Sequence, residues 1–192
     1  MSLKVLGILG SPRINGSNSL LLDTVLDGAK SQGAKTEKIF LNDISIKPCQ
    51  DCDGCIKTGT CIINDDFQNI YEKLKTYDCF VIASPIYFYG ITAQLKALID
   101  RCQCIWVAKY KLYKPIAEER PTRRGIYIST RGKPGMEGFR GSTRQIKAFF
   151  TVNNINYFSK ILYAGLNSKN SIREHADILE FAKNEGINLI KL

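Results

Sequence analysis

The stretch KVLGILGSPRINGSNS, residues 4–19, changes character once and sharply. Residues 4–10 are a short, nearly continuous apolar run of strand-favouring side chains, and 11–19 are a loop of serine, asparagine, glycine and arginine. A run of that length between turn signals reads as a strand buried on both faces. Beyond the loop, Leu20, Leu21, Val25, Leu26 and Ala29 recur at helical spacing until Gly33 and Ala34 end the pattern, and Thr36–Leu41 reads as a second strand. The unit is strand, helix, strand, with a polar loop where the first strand ends.

The alternation continues outward. Asp65 and Asp66 precede Phe67, Ile70, Tyr71 and Leu74, which places acids at the positive end of a one-sided helix. Cys79–Ala83 predicts a third strand, and Thr92 caps a helix carrying Leu95, Leu98 and Ile99. Residues 125–129 predict a fourth strand, 143–150 a helix and 157–163 a fifth strand. Ser171 and Glu174 have capping-box spacing ahead of Ile178, Leu179 and Ala182, so a final helix is expected, with His175 in its first turns. Five strands alternating with helices imply an α/β fold, a parallel sheet covered on both faces, because parallel neighbours need crossovers and these are nearly always right-handed. Such sheets bind ligands beyond the carboxyl ends of their strands, which points to the loops after strands one, three and four.

At 192 residues the chain suits a single domain, 1–192, whose core needs no disulfide staples. No uncharged apolar run reaches the roughly 18–20 residues that span a bilayer, and the N-terminus has no secretory-signal pattern. A cytoplasmic protein with no membrane partner is expected, and in that compartment clustered cysteines bind metal or do redox chemistry. Almost all of the formal charge of +9 comes from residues 109–147, where eleven Lys and Arg face three acids. Such a stretch favours a phosphorylated cofactor or an acidic electron-transfer partner, the plain alternative being a solvated face. Nucleic acid is disfavoured, because no base-stacking or groove-entering element accompanies the charge. The connection 107–124 holds Tyr110, Leu112, Tyr113, Pro115 and Ile116, too apolar for a free loop, and is expected to cover a neighbouring subunit.

Three loops carry chemistry. GSPRINGSNS (10–19) offers the hydroxyls of Ser11, Ser17 and Ser19, the Asn18 amide, Arg13 and a flexible Gly16 at a helix N-terminus, which suits a phosphate. Without a GK[ST] ending or GxGxxG spacing, one phosphate fits better than a triphosphate or pyrophosphate, and a plain helix-capping turn is the alternative. SPIYFYG (84–90) sets three aromatics after a buried strand, a wall for a flat apolar ligand or else core or subunit contact. STRGKPG (129–135) combines small residues, glycine and positive charge, able to donate N–H groups to a ring carbonyl or to form a basic surface turn.

A fourth segment, PCQDCDGCIKTGTC (48–61) within a loop at 48–64, spaces Cys49, Cys52, Cys55 and Cys61 as two consecutive CxxC steps and a longer gap. That run resembles the ligands of a cubane iron–sulfur cluster, whereas zinc more often takes two knuckles set farther apart; a metal-free thiol set is the third reading. Gly54 and Gly59 supply tight backbone for such a wrap. Cys79 reads as a buried strand residue, Cys102 and Cys104 as core or interface, and His175 as structural or solvated.

GSPRINGSNS after strand one, SPIYFYG after strand three and the later STRG together resemble the flavodoxin-like NADPH-dependent FMN reductase superfamily over essentially the whole chain. The compact cysteines between the second strand and second helix resemble its iron–sulfur flavoprotein branch. The resemblance implies a flavodoxin-like three-layer sandwich with sheet order 2-1-3-4-5. It implies FMN with its phosphate at Ser11, Arg13, Asn18 and Ser19, its ring along Pro85, Ile86, Tyr87, Phe88 and Gly90, and Ser129, Thr130 and Gly132 near the pyrimidine side. It further implies a [4Fe–4S] cluster on Cys49, Cys52, Cys55 and Cys61, NAD(P)H among the candidate donors, a ferredoxin-like acidic partner, and a homodimer or homotetramer in which 107–124 covers a neighbour's flavin edge. The implied function is an FMN-dependent oxidoreductase or electron-transfer flavoprotein relaying electrons between FMN and the cluster. The alternatives are an NAD(P)H-dependent FMN, quinone or nitro reductase without a cluster, and a non-enzymatic FMN-binding electron carrier. No catalytic side chain is expected, because the cofactor carries the chemistry.

Overall fold

The structure, a computed structural model, describes residues 2–166 and 171–191, so both ends of the expected 1–192 domain lie outside the described residues. Strands β1 (Lys4–Leu9), β2 (Lys35–Phe40), β3 (Cys79–Ala83), β4 (Arg124–Arg131) and β5 (Asn156–Ala164) form one sheet in the order β2-β1-β3-β4-β5, every neighbouring pair parallel. The helices of the described residues are α1 (Ser17–Ser31), α2 (Phe67–Thr76), α3 (Ala93–Arg101), α4 (Gln103–Tyr110), α5 (Arg140–Val152) and α6 (Ala176–Ile190). This is the flavodoxin-like order that the family resemblance implied.

Period-two alternation divides the strand side chains between two cores. Val5, Leu9, Val81, Ala83, Ile126 and Ile128 pack with α1 and α6 on one face. Leu6, Ile8, Phe80, Ile82 and Tyr127 pack with α2 to α5 on the other. The central strands β1 and β3 therefore read as unbroken apolar runs, whereas the edge strand β2, KTEKIF, mixes in charge. On the first face α1 and α6 touch backbone to backbone: a Cβ on Gly186 would stand 2.0 Å from the Val25 carbonyl oxygen, and one on Gly28 2.2 Å from that of Lys183. No helix of the described residues is long and apolar enough to cross a membrane.

Several boundaries differ from expectation for identifiable reasons. Leu41 leaves the second strand to open a 3-10 turn at Leu41–Asp43 and buries its side chain there. The helix capped by Thr92 breaks at Cys102 and the chain restarts as α4, because Ile105, Val107 and Ala108 find buried positions, so the connection expected at 107–124 is reduced to 111–123. Ser171–Glu174 is a separate 3-10 turn, and α6 begins only after His175, whose ring meets the Tyr163 hydroxyl at 3.0 Å from Nδ1. The basic stretch 109–147 is not one patch either. Arg123 is fully buried over the Phe80 ring and donates to the carbonyls of Leu74, Tyr77 and Asn153, so two helix C-termini take up its charge.

Candidate functional site

The sheet's hydrogen bonding runs on past the strand ends and ties the three loops together. Gly10 N–H donates to Ala83 O at 2.8 Å, Ser84 N–H to Ile128 O at 3.0 Å and Ile86 N–H to Thr130 O at 3.2 Å. Thr92, at the cap of α3, accepts from Leu95 N–H and donates its hydroxyl to Gly10 O at 2.6 Å. Asn18 Nδ2 donates to Thr130 Oγ1 at 2.8 Å, joining the first and third loops.

These ties enclose a pocket of about 220 Å³. Of the expected site residues, Ser11, Arg13, Asn18, Pro85, Ile86, Tyr87, Thr130 and Gly132 line it, together with Gly16, Ser17, Arg131 and Leu166. Ser11 Oγ accepts from Arg13 N–H at 3.1 Å, a turn that fixes the loop ahead of α1. Asn18 Oδ1 is buried with no hydrogen-bond partner among the described residues. A buried acceptor left unpaired costs about 1–3 kcal/mol, so the pocket is suited to a ligand that brings a donor. Ser19 does not line it: its hydroxyl accepts from Lys38 Nζ at 2.8 Å, and Lys38 also pairs with Asp23 at 2.7 Å. Ser129 is fully buried and donates to Ser84 O at 2.7 Å, behind the wall. Arg131 and Leu166 were not singled out from sequence; Arg131 stands inside the quoted STRG, but nothing local marks Leu166, which arrives from the end of β5.

Phe88 and Gly90 stand outside the lining as well. Tyr87 and Gly90 exchange backbone hydrogen bonds at 2.9 and 3.0 Å, making a two-residue hairpin whose tip is Phe88 and Tyr89. Both tip residues have left-handed backbone, φ 47° and 63°. Side chains of this bulk seldom adopt it, and such strain, of order 1–3 kcal/mol per residue, is typical of ligand clamps and contact loops. Phe88 is fully exposed.

The cysteine loop leaves the end of β2 and folds over the junction of α3 and α4. Cys49, Cys52, Cys55 and Cys61 all line a second cavity of about 380 Å³, with Cys104, Ile56, Ile62, Ile63, Trp106, Val107 and Arg101 among its other walls. Asp51 and Asp53, on either side of Cys52, are both left-handed, and Gly59, with φ 71°, approaches α4 so closely that a Cβ there would stand 2.8 Å from Ala108 Cβ. Leu112 packs on the same glycine, so this part of the connection covers the chain's own cysteine loop. Among the described residues no three His, Cys, Asp or Glu side chains converge as ligands of one ion. The thiols surround an apolar space instead, a donor set suited to a multi-atom cluster better than to a single tetrahedral ion.

Arg101, the last residue of α3, holds that loop. Its Nη1 donates to Lys47 O at 2.9 Å and to Asp65 Oδ2 at 2.6 Å, and its Nη2 donates to Ile63 O at 2.8 Å. Asp65 also accepts from the N–H groups of Lys47 and Phe67 at 2.9 and 3.0 Å. Burial by itself raises the Asp65 carboxyl, but Arg101 and these N–H donors hold it below its ordinary value. Burial likewise pushes the Arg101 guanidinium down, and the Asp65 carboxylate, with the Cys61 thiol beside it, more than offsets this.

Residues 3–153 match the family described as NADPH-dependent FMN reductase. The chain belongs to this family. Among relatives, an iron–sulfur flavoprotein of Methanocaldococcus jannaschii is 43% identical over 99 residues, 52% of this chain and 51% of that protein. An iron–sulfur flavoprotein of Archaeoglobus fulgidus is 32% identical over 151 residues, 79% of this chain and 73% of the relative. The match thus spans about half the length of the first relative. Among solved structures, an NAD(P)H:quinone oxidoreductase from Methanothermobacter marburgensis superposes with a TM-score of 0.72 at 17% identity, covering 98% of this chain and 100% of that one. The family's flavodoxin-like fold is therefore shared even where little sequence is.

Proposed function

We propose that the chain is an FMN-dependent oxidoreductase that relays electrons between FMN, held by the loops after β1, β3 and β4, and a [4Fe–4S] cluster held by Cys49, Cys52, Cys55 and Cys61. The supporting observation is the presence on one FMN-reductase fold of two separate cavities, one lined by small polar groups and Arg13, the other by four loop cysteines. When bound, FMN exchanges electrons in pairs or singly, which matches a two-electron donor such as NAD(P)H to a one-electron cluster.

The chain's part is to bind, orient and exclude water. Arg13 and the N-terminus of α1 would take the phosphate, with Ser11 shaping the turn. Asn18 Oδ1 accepts a hydrogen bond from the flavin, while its Nδ2 is committed to Thr130. Pro85, Ile86 and Tyr87 would wall the ring, Thr130 and Gly132 would offer it polar groups, and Phe88 and Gly90 shape the hairpin beside the pocket. Ser129 acts from behind by fixing the Ser84 backbone, and Ser19 by holding the Lys38 side chain. Ile56, Ile62, Trp106 and Val107 keep the cluster cavity dry. The exposed Phe88 fits a homodimer or homotetramer in which the hairpin meets a neighbour, and the surface lysines of 109–147 fit an acidic, ferredoxin-like partner.

Protein purified without oxygen and examined by absorption tests the reading. Flavin bands, broad cluster absorption near the flavin and acid-released cofactor migrating as FMN are expected. Release of FAD, or a colourless preparation that takes up neither flavin nor iron on reconstitution, would sink it.

A further inference from the structure

The mechanism above leaves one feature unused, a buried cation with an unspent donor beside the cysteines. Arg101 is almost fully buried, and one carboxylate, Asp65, is its ion-pair partner, side chains 0% and 8% exposed. Its Nη atoms grip the carbonyls of Lys47 and Ile63, which bracket every loop cysteine between them. Its Nε–H is buried with no hydrogen-bond partner among the described residues, and the side chain lines the cysteine cavity. A planar guanidinium stacked 4.6 Å from the Phe67 ring centroid cannot turn to satisfy that N–H elsewhere without giving up the clasp.

We propose that Arg101 is the positioning residue of the cysteine loop: it clasps both ends of the loop and directs its Nε–H at a cysteine sulfur of the bound cluster. This rests on reading the cysteines as a cluster site. Closing residues 48–62 with one side chain removes the cost of gathering four thiolates from a flexible loop. A cubane cluster with four thiolates is an anion, so it supplies the charge and the acceptor that the pocket withholds from Arg101. A hydrogen bond from a cation to cluster sulfur stabilises the reduced state and raises the potential.

The test compares wild type, Arg101→Lys, Arg101→Met and Asp65→Asn, each purified and reconstituted anaerobically with iron and sulfide. The readouts are iron, acid-labile sulfide and FMN per chain, the cluster midpoint potential, and amide hydrogen exchange across 47–65 in the metal-free protein. Arg101→Met is expected to lose cluster affinity by about tenfold or more with FMN retained. Arg101→Lys keeps the charge and more of the cluster, with the oxidised-to-reduced balance shifted up to about tenfold toward oxidised, about 59 mV downward for one electron. Asp65→Asn speeds exchange across 47–65, as both Arg101 variants do. Should Arg101→Met fail to fold, shown by loss of FMN, the lysine variant decides. Full cluster content at unchanged potential in folded Arg101→Lys overturns the proposal, as does unchanged exchange across 47–65. A wild-type chain that takes up FMN but no iron removes the cluster reading, and with it the Nε–H role, whereas variants that lose iron selectively cannot arise from that failure.

Discussion

Asn18 Nδ2 and Thr130 Oγ1 meet at 2.8 Å across 112 residues of sequence, leaving Asn18 Oδ1 buried and unpaired beside the pocket. The bond locks the first loop to the third, and in the function proposed above the spare oxygen accepts from the ligand. Asn18→Leu, similar in size, is expected to weaken FMN binding by about 1–2 kcal/mol, the worth of one or two hydrogen bonds. Thr130→Val leaves the spare oxygen in place and is expected to cost less. Flavin fluorescence titration measures both, and equal losses would remove Oδ1 from the binding argument.

Arg13→Ala is expected to weaken FMN by about 1.5–3 kcal/mol, the usual worth of a charge-assisted hydrogen bond, and to leave riboflavin binding unchanged. An equal loss with riboflavin would show that Arg13 shapes the loop and does not meet the phosphate.

The seven cysteines divide by burial. Cys49 and Cys52 are exposed and Cys55 and Cys61 half-buried, whereas Cys79, Cys102 and Cys104 are buried. Burial pushes the Cys79 thiol up to about 11 and that of Cys104 up to about 12, and pushes Cys102 higher as well. Iodoacetamide at pH 8 on the folded, metal-free protein is expected to label the four loop cysteines and spare the other three, with mass spectrometry of peptides as the readout. Labelling of Cys104 at the rate of Cys61 would place that thiol in solvent.

Asp65 gives the cysteine loop an acid limit. A carboxyl held below its ordinary value of 3.8 stabilises the native state fully above that value, and its contribution is lost as pH falls through the lower folded value. Amide exchange across 47–65 is expected to stay slow down to the ordinary carboxylate range and to accelerate below it. In Asp65→Asn it is expected to be fast throughout, and a wild-type loop that opens already near pH 6 would contradict the clasp.

Gly186→Ala drives a methyl into the Val25 carbonyl, 2.0 Å away. Because both partners are helix backbone, the helices must separate, and a loss of about 1–3 kcal/mol is expected in urea unfolding. FMN affinity in the folded fraction is expected to stay at wild type, since α6 does not line the pocket. An unchanged midpoint would mean that α1 and α6 slide freely.

What the sequence determined by itself was what depends on neighbours along the chain. Buried parallel strands must be continuous apolar runs, so Lys4–Leu9, Cys79–Ala83 and Arg124–Arg131 were legible, within a few residues at their ends, from composition and turn signals. Small polar residues and glycine at the ends of those strands marked the loops that share the pocket, and the spacing of Cys49, Cys52, Cys55 and Cys61 marked the second cavity. The tertiary structure decided everything that depends on direction and distance. Ser19 and Ser129 stand in the right loops yet face Lys38 and Ser84, because a helix turn and a strand pleat point them away from the pocket. Leu166 joins the pocket only because β5 lies beside β4. Arg101 was not singled out from sequence, since the carbonyls and carboxylate it grips lie 36 to 54 residues away and no local pattern announces them. Gly186 is indispensable only where another backbone passes at contact distance, which is a property of the packed pair of helices and of neither segment alone.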